Sequence, residues 1–182
     1  FYTIGHSNRS FADFAGLLSE NGIVLVADVR TVPKSRANPQ FNADALDASL
    51  AGIGIAYARF AALGGLRGKA RGVPAGVNGM WTNDSFHNYA DHALSPQFQA
   101  GLAELLEAGE KRRCAVMCAE AVWWRCHRRI VADYLIARGR PVFHTMGAGR
   151  LEPARLTPGA VVQADGTIHY PAAAQPGESH GK

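Results

Sequence analysis

Short apolar runs alternate along the chain with stretches in which apolar residues recur at helical spacing. The run from Ile23 to Val29 is almost continuously apolar, as is typical of a parallel strand covered on both faces. After Ser10, a predicted N-cap, the apolar residues follow one helical face: Phe11, Phe14, Leu17 and Leu18. Apolar runs of strand length recur near residues 1–4, 55–60, 114–117 and 141–146. The pattern therefore predicts strands and helices in alternation.

This alternation, with short connections, predicts a layered α/β fold in which helices flank a mainly parallel, Rossmann-like sheet. A chain of 182 residues can bury a full core, and we expect a single domain over residues 1–170. Asp165 and Gly166 stand between two short apolar runs and predict a C-terminal β-hairpin with a two-residue turn. Residues 171–182 are small and polar, which predicts a disordered tail.

Composition and charge narrow the classes of partner. Hydrophobic residues make up 47% of the chain and charged residues 19%, as in ordinary globular proteins. The net charge of +4 permits a small anionic ligand or a nucleic acid as partner without requiring either. Three cysteines do not suggest a disulfide framework and fit a reducing cytoplasm. No apolar run reaches the length of a membrane span, so we expect no membrane partner, and nothing in the sequence specifies an oligomeric state.

Polar side chains cluster where three of the predicted strands end. His6 follows the first strand, Asp28 and Arg30 end the second, and Cys118 with Glu120 ends the fourth. In open parallel sheets, ligands bind outside the carboxyl ends of the strands. If these three strands are neighbours, the polar residues line one edge of the sheet and form one site.

The segment after the fourth strand supplies four candidate catalytic residues: Cys118, Glu120, Cys126 and His127. Cys126 is predicted to lie in the first turn of a helix between Arg125 and Arg128, where the helix dipole and both cations favour a thiolate. Either cysteine could then act as nucleophile, with the glutamate or the histidine as proton carrier. Alternatively, the cysteines are inert core residues, the interpretation that suits Cys114 best.

Zinc bound by Cys118, Cys126 and His127 is a third interpretation. The spacing C-x7-C-H is unlike that of compact zinc motifs, and adjacent helical residues point about 100° apart. His6 could add a fourth ligand only if the first strand lies beside the fourth. We therefore expect no metal ligands and no other cofactor, in a domain large enough to fold without zinc.

The residues expected to bind substrate follow predicted strands or belong to the same cationic segments: His6, Ser7, Asn8, Arg9, Asp28, Arg30, Ser35, Arg36 and Arg128. Arginines in such places bind phosphate or carboxylate through paired hydrogen bonds, and Arg30 with Arg36 is the expected anion clamp. His6 either contacts the ligand or is structural. The tryptophans, Trp81, Trp123 and Trp124, either stack on a base or pack on an apolar surface.

Four separated segments resemble the bacterial domain-of-unknown-function 488 family. They are TIGHSNRS at Thr3–Ser10, DVRTVPKSRANPQFN at Asp28–Asn42, LGG at Leu63–Gly65 and MCAEAVWWRCHR at Met117–Arg128. The motifs run in the family's order, and the resemblance covers roughly residues 2–170. It implies a small bacterial cytosolic α/β protein whose motif residues form one site, and it supplies no reaction.

Two functions fit these residues. The first is an enzyme, a hydrolase or transferase that acts on a small anionic, nucleotide-like or nucleic-acid substrate. The second is a non-catalytic module that binds a nucleotide or modified nucleic acid, with arginines on phosphate, stacked tryptophans and core cysteines. Ionisable groups of several types at one edge of the sheet favour the enzyme.

Overall fold

The structure, a computed structural model, describes residues 1–173. Its helices are α1 (Phe11–Glu20), α2 (Ala43–Ala51), α3 (Asp84–Ala93), α4 (Pro96–Glu110) and α5 (Arg128–Ala137). Its strands are β1 (Tyr2–Gly5), β2 (Leu25–Asp28), β3 (Ala56–Arg59), β4 (Cys114–Cys118), β5 (Phe143–Gly147), β6 (Arg150–Pro153), β7 (Val161–Val162) and β8 (Ile168–His169). Short 3-10 turns occupy Pro39–Phe41, Ala61–Leu63 and Trp123–Arg125. Within residues 1–173, no helix has both the length and the apolar character needed to cross a membrane. Beyond residue 173, the predicted disordered tail lies outside the described residues.

Six strands form one sheet in the order β3-β2-β4-β1-β5-β6. The first five strands in this order run parallel, and β6 pairs antiparallel with β5. The predicted layered α/β fold with a mainly parallel sheet is therefore confirmed. Gly5 lies beside Cys118, and Asp28 lies beside Met117. The carboxyl ends of β1, β2 and β4 are thus immediate neighbours.

Helices cover both faces of this sheet. Alternate residues of β4 point to opposite sides, so Val116 packs in the core shared with α3, α4 and α5, while Met117 packs in the core shared with α1 and α2. Phe14 and Leu46 anchor the two helices on the second face and are fully buried. Burial on both faces explains why β2 and β4 are continuously apolar in sequence.

The caps of two helices fix where they begin, and one begins later than predicted. Asn83 is the N-cap of α3, and its side chain accepts hydrogen bonds from the backbone N–H groups of Ser85 and Phe86. The helix after β4 begins at Arg128, with His127 as N-cap. Cys126 therefore precedes that helix, in an extended conformation (φ −128°, ψ 146°), because the 3-10 turn before it ends there.

The C-terminal hairpin is confirmed, with a different turn. The backbone N–H of Gln163 donates to Thr167 at 2.8 Å, so three residues, rather than Asp165 and Gly166 alone, form the loop. Gly166 adopts the left-handed conformation (φ 80°) that such a loop requires. Strand β6 was not predicted, because RLEP is a short edge segment with no apolar alternation.

Gly5 ends β1 directly against the chain that leaves β4. A Cβ atom at this position would overlap the backbone carbonyl of Glu120 and lie 2.9 Å from the Cα of Ala121. The backbone N–H groups of His6 and Ser7 hold the same chain by donating to the carbonyls of Cys118 and Ala119. This close approach requires glycine.

Replacing Gly5 by alanine should lower the free energy of unfolding by at least about 1–3 kcal/mol, since the obstructing atoms are backbone. Gly16→Ala in α1 is the matched control, because no neighbour lies within 4 Å of its would-be Cβ. That control should be neutral or stabilising by up to about 1 kcal/mol. Urea denaturation measures both, and wild-type stability in Gly5→Ala would contradict the close approach.

Candidate functional site

A cavity of about 610 Å³ opens at the carboxyl end of the sheet, a volume suited to a small-molecule ligand. Its lining comes from the segments that follow β1, β2, β3 and β4, together with the start of α3. The lining residues are Ser7, Arg30, Thr31, Val32, Gly65, Leu66, Ser85, Phe86, Cys118, Ala119, Glu120, Ala121, Arg125, Cys126 and His127.

Three side chains of this lining converge, and we call Cys118, Cys126 and His127 the Cys2His cluster. The Nδ1 atom of His127 lies 3.9 Å from Cys118 Sγ and 3.6 Å from Cys126 Sγ. The three donor atoms all lie within 4.8 Å of one another. The sequence-based argument against convergence treated Cys126 and His127 as neighbours within a helix, and the extended backbone of Cys126 removes that objection.

The His127 ring is held in one orientation. Its Nε2 atom lies 2.9 Å from the carbonyl oxygen of Val29, which can only accept, so Nε2 carries the hydrogen. In the neutral ring, Nδ1 then presents its lone pair to the two sulfurs. Tyr89 contacts the ring edge-on at 4.9 Å, and a Cβ at Gly65 would overlap the ring. The second glycine of the LGG segment is therefore needed for close packing on His127.

Arg128 supplies a buried positive charge behind the cluster. It is 1% exposed, its Nε–H donates to Cys126 Sγ at 3.2 Å, and Nη2 donates to the carbonyl of Glu120. Among residues 1–173, no carboxylate lies within ion-pairing distance of its guanidinium. Because a buried cation requires a compensating charge, the thiolate form of Cys126 is its counter-ion.

The two cysteines of the cluster differ in ionisation. A hydrogen bond from the Cys118 thiol and the positive charge of Arg128 lower the pKa of Cys126 well below its ordinary value, against the effect of burial. The same hydrogen bond, with burial, raises the pKa of Cys118. Burial alone raises the pKa of Cys114, away from the cavity, to about 12. One thiolate in the cluster therefore balances one buried arginine.

Arg30 lines the cavity, and its guanidinium is paired with the Asp28 carboxylate. Its Nη2 lies 2.6 Å from Asp28 Oδ2, and its Nε donates to the same carboxylate. The Tyr57 hydroxyl also donates to Asp28, at 2.6 Å. His6 donates through Nδ1 to the Ser7 carbonyl and accepts from Arg30 Nη1, and burial with the nearby Arg30 lowers the pKa of His6 to about 4. His6 and Asp28 thus hold Arg30 in place, while the charge of Arg30 is largely neutralised.

The structure divides the candidate residues into three groups. Six line the cavity: Ser7, Arg30, Cys118, Glu120, Cys126 and His127. Three are buried behind it and hold lining residues: His6, Asp28 and Arg128. Four lie outside the lining: Asn8, Arg9, Ser35 and Arg36. Of the two arginines predicted to form an anion clamp, Arg30 lines the cavity and Arg36 does not.

Several lining residues were not among the candidates. Gly65 is the last residue of the LGG segment, and Leu66 follows it. Because LGG is one of the segments that resemble the family, that resemblance could have identified both residues. Ser85 and Phe86 carried no such signal, because only the fold brings the start of α3 to this edge. Phe86 stacks on Trp81 (4.9 Å, 14°), and Trp123 stacks on His144 (4.2 Å, 8°), so both tryptophans pack on protein side chains.

Comparison with known proteins identifies a family. The family model described as "Domain of unknown function DUF488" matches residues 10–135, which include β2, the LGG segment and the whole Cys2His cluster. No curated protein and no solved structure matches the chain.

Replacing Arg128 by methionine should raise the pKa of Cys126, since the thiolate loses its counter-ion and one hydrogen bond. In chelator-treated wild type, the ultraviolet absorbance of thiolate should titrate for one cysteine well below the ordinary value of about 8.5. Arg125→Met, at an exposed neighbouring position, should leave this titration unchanged. The same titration midpoint in Arg128→Met and wild type would refute the assigned charge pair.

Proposed function

We infer the function of this chain, which belongs to the DUF488 family, from the chemistry of its cavity, and we propose a hydrolase that acts on a small, phosphate-bearing, nucleotide-like substrate. The observation that carries the proposal is the convergence of the Cys2His cluster and the Glu120 carboxylate on one cavity at the carboxyl end of a parallel sheet. Several ionisable groups of different types in one concave site favour catalysis over binding alone.

Charge around the cavity supports an anionic substrate. Segments 29–42 and 60–83, which follow β2 and β3, contain no aspartate or glutamate. Besides Arg30, whose charge Asp28 largely neutralises, they contain five basic residues: Lys34, Arg36, Arg67, Lys69 and Arg71. Arg125, from the segment after β4, adds an exposed guanidinium to the lining. Loops of one charge sign around a cleft raise the local concentration of ligands of opposite charge.

The apolar part of the lining supports a substrate with a flat ring. Val32 and Leu66 are 58% and 73% exposed, so they offer apolar surface to a ligand. Phe86 lines the same cavity and is held in place by its stack on Trp81. Aromatic and aliphatic side chains of this kind contact the faces of bases. A base together with phosphate is the chemistry of a nucleotide.

Water, rather than a cysteine, is the nucleophile in this proposal. Cys126 is only 5% exposed, and its sulfur is engaged by Arg128. Cys118 keeps its proton, because its pKa is raised by the hydrogen bond to Cys126 and by burial. Neither sulfur therefore offers a free thiolate to a substrate, and a transferase with a covalent cysteine intermediate is the weaker alternative.

Glu120 is the proton carrier of the proposed reaction. Its carboxylate is exposed at the cavity, and among residues 1–173 its one hydrogen bond is a long one (3.4 Å), accepted by Oε1 from the N–H of Val122. As water attacks the electrophilic atom of the substrate, Glu120 takes a proton from it and returns that proton to the leaving group. The alternative function, a non-catalytic binding module, assigns no role to this carboxylate.

The experiment incubates the protein with the nucleoside 5′-monophosphates and with a short single-stranded oligonucleotide, and identifies products by mass spectrometry. Glu120→Gln should slow turnover by about 10²–10⁴-fold with little change in substrate affinity, since it removes a proton carrier and keeps its shape. Glu104→Gln, on the exposed surface of α4, is the matched control and should retain wild-type turnover.

Binding without any product from the wild type would contradict the hydrolase. In that case, the nucleotide-binding module would be the better account.

A further inference from the structure

The donor atoms of the Cys2His cluster have the separations of a tetrahedral metal site. With Zn–S near 2.3 Å and Zn–N near 2.0–2.1 Å, a sulfur and a nitrogen ligand lie about 3.5 Å apart, and two sulfurs about 3.8 Å. The observed Nδ1–Sγ distances are 3.6 and 3.9 Å, and no two of the three donor atoms are more than 4.8 Å apart. One ion therefore fits between them with only small side-chain adjustments.

Hydrogen bonding within the cluster accounts for only part of this arrangement, because the Cys118 thiol has one proton and donates it to Cys126. Because Nε2 of His127 carries the hydrogen, Nδ1 has a single lone pair and can accept one S–H group. Two sulfurs nevertheless lie close to it, and the longer contact, 3.9 Å, is poor for a hydrogen bond. A cation placed between the three atoms would satisfy all of them at once.

Neighbouring groups hold the donors as they would hold metal ligands. A ligating imidazole donates its other N–H to a carbonyl or carboxylate, and His127 donates to Val29. A ligating thiolate accepts hydrogen bonds that reduce its charge, and Cys126 accepts from Arg128. Gly65 and Tyr89 prevent the His127 ring from turning away. The site is preorganised by residues that do not themselves bind the ion.

The cluster leaves one coordination position for a ligand from the cavity. All three residues line the cavity, together with Glu120, and catalytic zinc sites have three protein ligands with water in the fourth position. Thiolate and imidazole ligands select zinc over magnesium or calcium.

We propose that Cys118, Cys126 and His127 bind one zinc ion whose fourth position faces the cavity. Its catalytic use rests on the proposed hydrolase function, because a bound zinc ion would lower the pKa of water there to about 7 and supply the nucleophile at neutral pH. The binding site itself rests on geometry alone.

The experiment measures metal content and metal affinity of the full chain without reference to activity. Protein purified without chelators should contain about one zinc ion per chain by elemental analysis. The apoprotein should take up cobalt(II) with the visible absorption of a tetrahedral ion and sulfur-to-cobalt charge transfer. Competition with a chromophoric chelator gives the zinc dissociation constant.

Cys118→Ser should weaken zinc binding by more than the roughly 10–100-fold typical of changes outside the ligand shell. Serine has nearly the size and shape of cysteine, so this variant should fold, and circular dichroism checks it. Cys114→Ala removes a cysteine away from the cavity and should keep wild-type zinc affinity.

Absence of zinc and of cobalt charge transfer in the folded wild type would overturn the proposal, as would wild-type zinc affinity in Cys118→Ser. If either result accompanied turnover that depends on Glu120, the metal site would fail and the hydrolase would stand. Stoichiometric zinc without turnover of any substrate would support the metal site and count against the hydrolase.

Discussion

The buried guanidinium of Arg128 is the constraint on which the candidate site depends. A charge that is 99% removed from solvent must be compensated where it lies, and no described carboxylate approaches it. The compensation comes from the Cys126 sulfur and the Glu120 carbonyl. Arg128, the first residue of α5, thereby holds the segment that follows β4 near both of its ends, at Glu120 and at Cys126. Breaking such a buried pair typically costs about 3–5 kcal/mol, so the segment has little freedom to rearrange.

The sheet brings the remaining elements to this segment. Because β1 and β2 flank β4, Gly5 approaches the Glu120 backbone, and Val29 approaches His127. The LGG segment follows β3, and its second glycine, Gly65, packs against the same histidine ring. The four segments that carry the family resemblance are separated in sequence and meet around one cavity. Their glycines permit close contacts, and their buried polar residues hold lining side chains in place.

Much of the fold could be predicted from the sequence, because apolar periodicity depends on which faces are buried. The continuous run at β2 and the alternation of strands and helices predicted a parallel sheet, and the positions of His6, Asp28 and Cys118 predicted the edge where the cavity opens. The conformation of Cys126 could not be predicted, since a 3-10 turn delays the helix and turns two adjacent side chains toward each other. The pairing of Arg30 with Asp28 and the contribution of Phe86 depend on tertiary contacts, which no local pattern encodes.

These contacts hold the three side chains of the Cys2His cluster as ligands for the proposed zinc ion. Zinc-edge X-ray absorption on protein purified without chelators tests this proposal most directly, because it reports the identity and distance of the atoms around the ion. We expect two sulfur ligands at about 2.3 Å and nitrogen or oxygen ligands at about 2.0–2.2 Å. Nitrogen and oxygen ligands without sulfur would contradict the zinc site, because an ion so bound would lie elsewhere on the protein.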